Sequence, residues 1–192
     1  MNQVWLYISI IASLISIGVA FYLFFWVKRQ DPGTDKAKEV ASWIREGAKT
    51  YLKRLYIALT IVSLVLAFII GVVFSFDLTE VALGNVQITP SSGIIMAIAF
   101  IAGAVCSAVA GYMGMSIAVE ANVRTATAAN ESLNKAFKLS FYAGSVMGLA
   151  MVGLAVIGMS TIFLLTEDAD AVLGFSFGAS ALALLAKAGG GI

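Results

Sequence analysis

"AVLGFSFGASALALLAKAGGGI", residues Ala171–Ile192, decides the fold. From Ala171 to Ala186 it carries no charge; then come Lys187, one alanine and three glycines. An α-helix rises about 1.5 Å per residue, so this run reaches about 24 Å, short of the ~30 Å hydrocarbon core of a bilayer. A lysine at the centre of a spanning helix costs about 2.5–3.5 kcal/mol, and less where the side chain snorkels to the headgroups. Lys187 therefore has two readings. It anchors the end of a helix at the interface, or it lines a polar cavity or ion path. The adjacent Gly189, Gly190 and Gly191 sharpen the second, because glycine allows close backbone approach and leaves N–H groups accessible.

Upstream, four further apolar runs have the roughly 20 residues that a spanning helix needs. They cover about 4–27, 55–76, 93–119 and 139–165. The chain thus predicts an all-α integral membrane protein, a polytopic helical bundle of four full spans plus an incomplete fifth at 171–192, all in one transmembrane domain over 1–192. The composition agrees, with 60% hydrophobic and 12% charged residues, far from the roughly 25% charged of soluble domains. The first run lacks a basic leader and a small-residue cleavage site, so it reads as a retained span rather than a signal peptide.

Charge fixes an expected orientation. Lys28, Arg29, Lys36, Lys38, Arg45, Lys49, Lys53 and Arg54 precede the second run, and Arg124, Lys135 and Lys138 precede the fourth. The other two connections hold only Asp77 and Glu80, then Glu167, Asp168 and Asp170. The positive-inside rule makes 28–54 and 120–138 cytoplasmic loops and puts the N-terminus outside. Within the first of these, "DPGT" signals a turn with Thr34 as N-cap. Val40, Trp43, Ile44, Gly47, Tyr51 and Leu55 then recur at helical spacing, which predicts an amphipathic cytoplasmic helix over about 35–54 whose basic residues attract anionic lipid.

Small residues recur every four positions at Gly103, Ser107 and Gly111, at Gly144 and Gly148, and at Gly174 and Gly178. Such spacing lets helix backbones approach in lipid, and close packing is expected there.

Little in the sequence supports independent chemistry. There is no histidine, a single cysteine, and a net charge of +1, so a nucleic-acid partner is not expected. Asp31, Asp35 and Glu39 lie beside Lys36 and Lys38 and read as a solvated surface rather than a metal site. Ser176 and Ser180 have no base partner and are expected to bond to a helix carbonyl or a neighbouring span. Arg124, in the polar run "EANVRTATAANESLNK", either engages phosphate or anchors the helix end at headgroups.

Three stretches together resemble one family, the membrane-bound ion-translocating inorganic pyrophosphatases. They are "IREGAKTYLKRLY" (Ile44–Tyr56), "GYMGMSIAVEANVRTATAA" (Gly111–Ala129) and "GFSFGASALALLAKAGGGI" (Gly174–Ile192), supported by "AGSVMGLAMVGL" (Ala143–Leu154). The resemblance implies the first part of a sixteen-span fold that couples diphosphate hydrolysis to outward H+ or Na+ transport. It implies Mg2+ as cofactor of the full-length protein, a homodimer, and membrane lipid and the remainder of the pyrophosphatase chain as partners. Glu46, Gly111, Asn122, Arg124, Gly174, Ser176, Gly189, Gly190 and Gly191 fall in the matching motifs without an assigned role, and Lys187 is the ion-path candidate. The sequence departs from the family pattern at Lys187, where arginine is usual, at Leu55 for glutamine, at Glu120 for a basic or polar residue, and at Ala188 for valine. Lysine keeps the charge but not the planar fork that pairs bidentately with carboxylate. In the family the hydrolytic residues follow the glycine triplet, so no catalytic or metal-binding residue and no bound cofactor is expected within these residues, and the chain alone is expected to be inactive. The alternative is a non-enzymatic small polytopic scaffold, or a subunit of a split pump.

Overall fold

A computed structural model describes residues 3–75 and 90–190. Five helices account for nearly all of them: α1 (Gln3–Lys28), α2 (Asp35–Ser75), α3 (Pro90–Glu131), α4 (Leu133–Thr166) and α5 (Ala169–Gly190). No strand occurs among the described residues. All five are long and apolar enough to cross a membrane. The acidic connection residues Asp77 and Glu80, the end of the second expected span at 76, and Gly191 lie outside the described residues.

Three boundaries differ from the sequence-based expectation, each for a physical reason. The amphipathic segment and the second span are a single helix of 41 residues, because a helix satisfies its own backbone whether its surroundings are water or lipid. The third span likewise continues through the polar run expected as loop, as far as Glu131. Only Ser132 separates it from α4: its N–H closes α3 on the Ala128 carbonyl (2.9 Å), and its carbonyl accepts from Ala136 N–H (3.1 Å) to open α4. The fifth segment begins at Ala169 and runs 22 residues, about 33 Å by helix rise, so it is not short of a crossing. Gly189 and Gly190 are the last helical residues.

The turns are built by short polar side chains. Asp31 Oδ1 accepts the Gly33 N–H (2.8 Å), and Gly33 has φ of 84°, in the left-handed region. A Cβ there would also strike the Thr127 side chain, so glycine is required twice over. Thr34 caps α2, accepting from Ala37 N–H (3.4 Å) at its hydroxyl and from Lys38 N–H (3.0 Å) at its carbonyl. Asp168 Oδ1 accepts the Asp170 N–H (2.9 Å) at the start of α5, following Glu167 at φ 50°.

The chain divides into two compact units. One comprises Met1–Ile10, Leu55–Ala108 and Ala155–Ile192; the other comprises Ile11–Arg54 and Val109–Leu154. In the first unit, α3 and α5 meet backbone to backbone. A Cβ on Gly174 would come within 2.6 Å of the Met96 carbonyl oxygen, one on Gly178 would land on the Phe100 carbonyl, and one on Gly103 would land on that of Phe175. Because 96 faces 174 and 100 faces 178, the two helices run parallel here. Phe175, 2% exposed, fills the space above Gly158 of α4, and Leu59, Ala104 and Leu182 form an adjoining core.

The second unit is organised around Val27, Ile117, Ala121, Leu139, Ala143 and Val146. Trp26 meets Tyr142 edge-on at 5.0 Å, and Lys138 Nζ lies over both rings. Gly114 receives Met147, and Gly153 receives Ile17 and the Ser13 carbonyl. By contrast, among the described residues nothing lies within 4 Å of the Cβ positions of Gly144 and Gly148, so that expected seam has no partner there. Large apolar side chains such as Trp5, Ile15, Tyr22, Phe68 and Ile98 are exposed, as befits faces solvated by lipid.

Candidate functional site

The densest polar constellation lies where α1 ends, in the unit formed by Ile11–Arg54 and Val109–Leu154. Glu120 and Arg124 are four residues apart on α3 and so share a face. Arg124 Nη1 donates to Glu120 Oε2 (2.6 Å) and to the Glu120 carbonyl (2.7 Å). Its Nη2 donates to the Lys28 carbonyl (3.1 Å) and its Nε to the Gln30 carbonyl (3.1 Å). On the other side of the carboxylate, Arg45 of α2 bonds Glu120 Oε1 at 2.6 Å.

One guanidinium thus caps the carbonyls that the end of α1 cannot satisfy within itself, while the carboxylate bonded to it reaches α2, so that the pair joins three helices. The cap is electrostatically favourable, since a helix C-terminus carries roughly half a negative charge. The Arg124 and Glu120 side chains are 10% and 14% exposed, whereas Arg45 is 45% exposed. Two buried charges at this depth are tolerable only as a hydrogen-bonded pair. Four of the Arg124 N–H donors are thus directed at protein oxygens.

The other sequence-predicted residues do not converge. Lys187 lies exposed near the end of α5, and among the described residues no ion pair involves it. Glu46 and Asn122 are exposed, and Gly111 is half-buried. Gly174 belongs to the α3–α5 contact described above, and Gly189 and Gly190 are the last residues of α5. Ser176 Oγ donates to the Val172 carbonyl (2.9 Å) and lies 3.8 Å from Met159 Sδ, a bond within its own helix. Glu120 and Arg45 are the residues that sequence reasoning left out of the site. The i,i+4 pairing of Glu120 with Arg124 was available as a signal; the third partner, on another helix, was not.

Three other carboxylates have partners of their own. Asp35 pairs with Lys38 (3.1 Å), Glu131 with Lys135 (2.6 Å), and Asp168 caps α5. Among the described residues no group of three or more potential ligands could hold a metal ion. What the clasp can do chemically is hold the end of α1 and the start of α2 in register with α3. Arg124→Ala is expected to destabilise the protein by about 3–5 kcal/mol, because Glu120 keeps only its half-exposed partner and two carbonyls lose their donor. Arg45→Ala should cost about 0–1 kcal/mol, as screened pairs do, and Arg124→Lys should fall between, keeping the charge without the fork. Thermal or denaturant unfolding in detergent reads the order; equal losses for Arg124→Ala and Arg45→Ala would contradict this assignment.

Comparison with known proteins gives these features a family. Residues 14–192 match the family described as "Inorganic H+ pyrophosphatase". The chain is 42% identical over 182 residues to the K(+)-insensitive pyrophosphate-energized proton pump of Methanosarcina mazei, covering 95% of this chain and 25% of that pump. It is 38% identical to the pump of the same description from Chloroflexus aurantiacus, covering 95% and 24% respectively. A relative from Clostridium tetani, 36% identical over 96% of this chain and 25% of its own, is named provisionally as a K(+)-stimulated pyrophosphate-energized sodium pump. The chain therefore spans about a quarter of the length of these relatives. On the strength of a match running from residue 14 to residue 192, this multi-pass membrane chain belongs to the inorganic H+ pyrophosphatase family.

Proposed function

We propose that this chain is the front part of a pyrophosphate-energised ion pump, the part that frames the machine rather than the part that hydrolyses diphosphate. The observation that carries the reading is the family match over residues 14–192 in relatives about four times as long. It is supported by the fate of the charged groups. Diphosphate hydrolysis needs clustered carboxylates, hard cations and basic residues around the phosphates. Here Glu120 is held between two arginines and Asp168 by a helix N-terminus. Mg2+ is part of the proposal for the full-length pump, and the carboxylates described here do not make a site for it.

Ion transport outward, as H+ or as Na+, belongs to the same proposal, as does a role for Lys187 along the ion path. The distribution of basic residues supports an N-terminus outside and cytoplasmic faces at 28–54 and 120–138.

Two experiments test this reading. In the first, the segment of the Methanosarcina mazei pump matched here is exchanged for this chain, and magnesium-diphosphate-driven ion uptake is measured in sealed vesicles. Uptake should persist in the chimera while the 192-residue chain alone releases no phosphate above background. Phosphate release by the chain alone would overturn the division of labour. A folded chimera without uptake would favour a scaffold unrelated to pumping. In the second, single cysteines replace Lys36 or Asp170 in a Cys106→Ser background. An impermeant maleimide should label Asp170→Cys on intact cells and Lys36→Cys only after permeabilisation; the reverse pattern would invert the orientation.

A further inference from the structure

A cleft of about 360 Å³ opens beside the clasp, wholly within the unit formed by Ile11–Arg54 and Val109–Leu154. Three helices wall it on matching stripes. α2 supplies Arg45, Ala48, Lys49 and Leu52, at i, i+3, i+4 and i+7, and α3 and the last turn of α1 close the sides. One end is cationic, with Lys28, Arg45 and Lys49 against the single carboxylate of Glu120. The walls away from that end are apolar, including Phe24, Leu52 and Tyr112. Lys28 Nζ is already placed, 5.4 Å from the Phe24 ring centroid in a cation–π contact.

We propose that this cleft binds one anionic phospholipid, with its phosphate at Lys28 and Lys49 and the upper part of an acyl chain along the apolar wall. Charge complementarity excludes a neutral or cationic occupant. Glu120 is shared between Arg45 and Arg124, at 2.6 Å from each, so the charges of Lys28 and Lys49 are left over. The apolar wall excludes a small soluble anion as the fitting ligand, since such an ion would leave it bare. Length agrees as well: Tyr112 and Glu120 are eight residues apart on α3, about 12 Å along the helix, enough for a phosphate, a glycerol and the first methylenes. The positive-inside orientation directs the cationic end to the leaflet where anionic lipids are concentrated. Bound there, the lipid would bridge the same three helices that Glu120 and Arg124 join.

The test uses the full chain, purified in detergent and stripped of lipid, with native mass spectrometry as readout. Dioctanoyl phosphatidylglycerol should bind one per chain, at least about tenfold more tightly than dioctanoyl phosphatidylcholine. Each lysine near a charged surface contributes enough that Lys28→Ala with Lys49→Ala should weaken phosphatidylglycerol binding by about tenfold or more. Lys135→Ala with Lys138→Ala, outside the cleft, should leave it unchanged. Equal binding of the two lipids by the unmodified chain overturns the proposal without reference to any variant. Displacement of the lipid by inorganic phosphate at similar concentration would overturn it in favour of a soluble-anion site. Undiminished binding in the Lys28/Lys49 double variant would place the lipid elsewhere.

Discussion

The backbone contact between α3 and α5 is the constraint on which one half of this structure depends. In lipid, moving an apolar side chain from solvent to a helix interface yields almost nothing, because hydrocarbon is the solvent. Association must come from dispersion between closely fitted surfaces and from what few polar bonds are available. Gly103, Gly174 and Gly178 remove the side chains that would hold the two helices apart, so carbonyls of one helix lie against Cα atoms of the other. Phe175 then fills the flank of that contact, against Gly158. With large residues at those three positions the two helices could span the membrane equally well and would lose their fitted contact.

Near the end of α1 a different solution applies. The charges that the positive-inside rule collects there are not all left in water. Glu120 and Arg124 are withdrawn from it and used as structural elements, the guanidinium closing the end of α1 and the carboxylate reaching Arg45 on α2. The same unbroken helix of 42 residues, α3, therefore carries Gly103 of the backbone contact in its first half and the charged clasp in its second. The glutamate at position 120, a departure from the family pattern in the sequence, is the residue that makes the clasp possible.

The five helices were legible in the sequence because apolar run length is imposed by the bilayer and little else. Their ends were less so. Lysines and arginines between 36 and 54 read as a separate surface element, yet a helix does not need to stop where its surroundings change, and α2 does not. Glycine spacing showed where backbones are able to approach, not which face has a partner: the patterned Gly144 and Gly148 have none among the described residues, while the unpatterned Gly114, Gly153 and Gly158 are packed against Met147, Ile17 and Phe175. Arg124 was visible as a chemically interesting residue, and half of its environment, Glu120, lay four positions away. The carbonyls it caps and the arginine beyond the carboxylate depend on how three helices come together, which no local pattern encodes. Lys187, the most conspicuous charge in the sequence, gains no partner from the described residues.

The most direct test of the central claim is a pair of double-mutant cycles read by thermal unfolding in lipid nanodiscs, because they separate backbone contact from side-chain packing. Gly158→Ala meets the Phe175 ring, so combining it with Phe175→Leu should show a favourable coupling of about 1 kcal/mol or more. The nearest atoms to a Cβ in Gly178→Ala are the Phe100 backbone, so Phe100→Leu should relieve nothing and the two losses should simply add. A coupling at Gly178 and Phe100 as large as that at Gly158 and Phe175 would show that α3 and α5 are held apart by side chains, and would contradict the account.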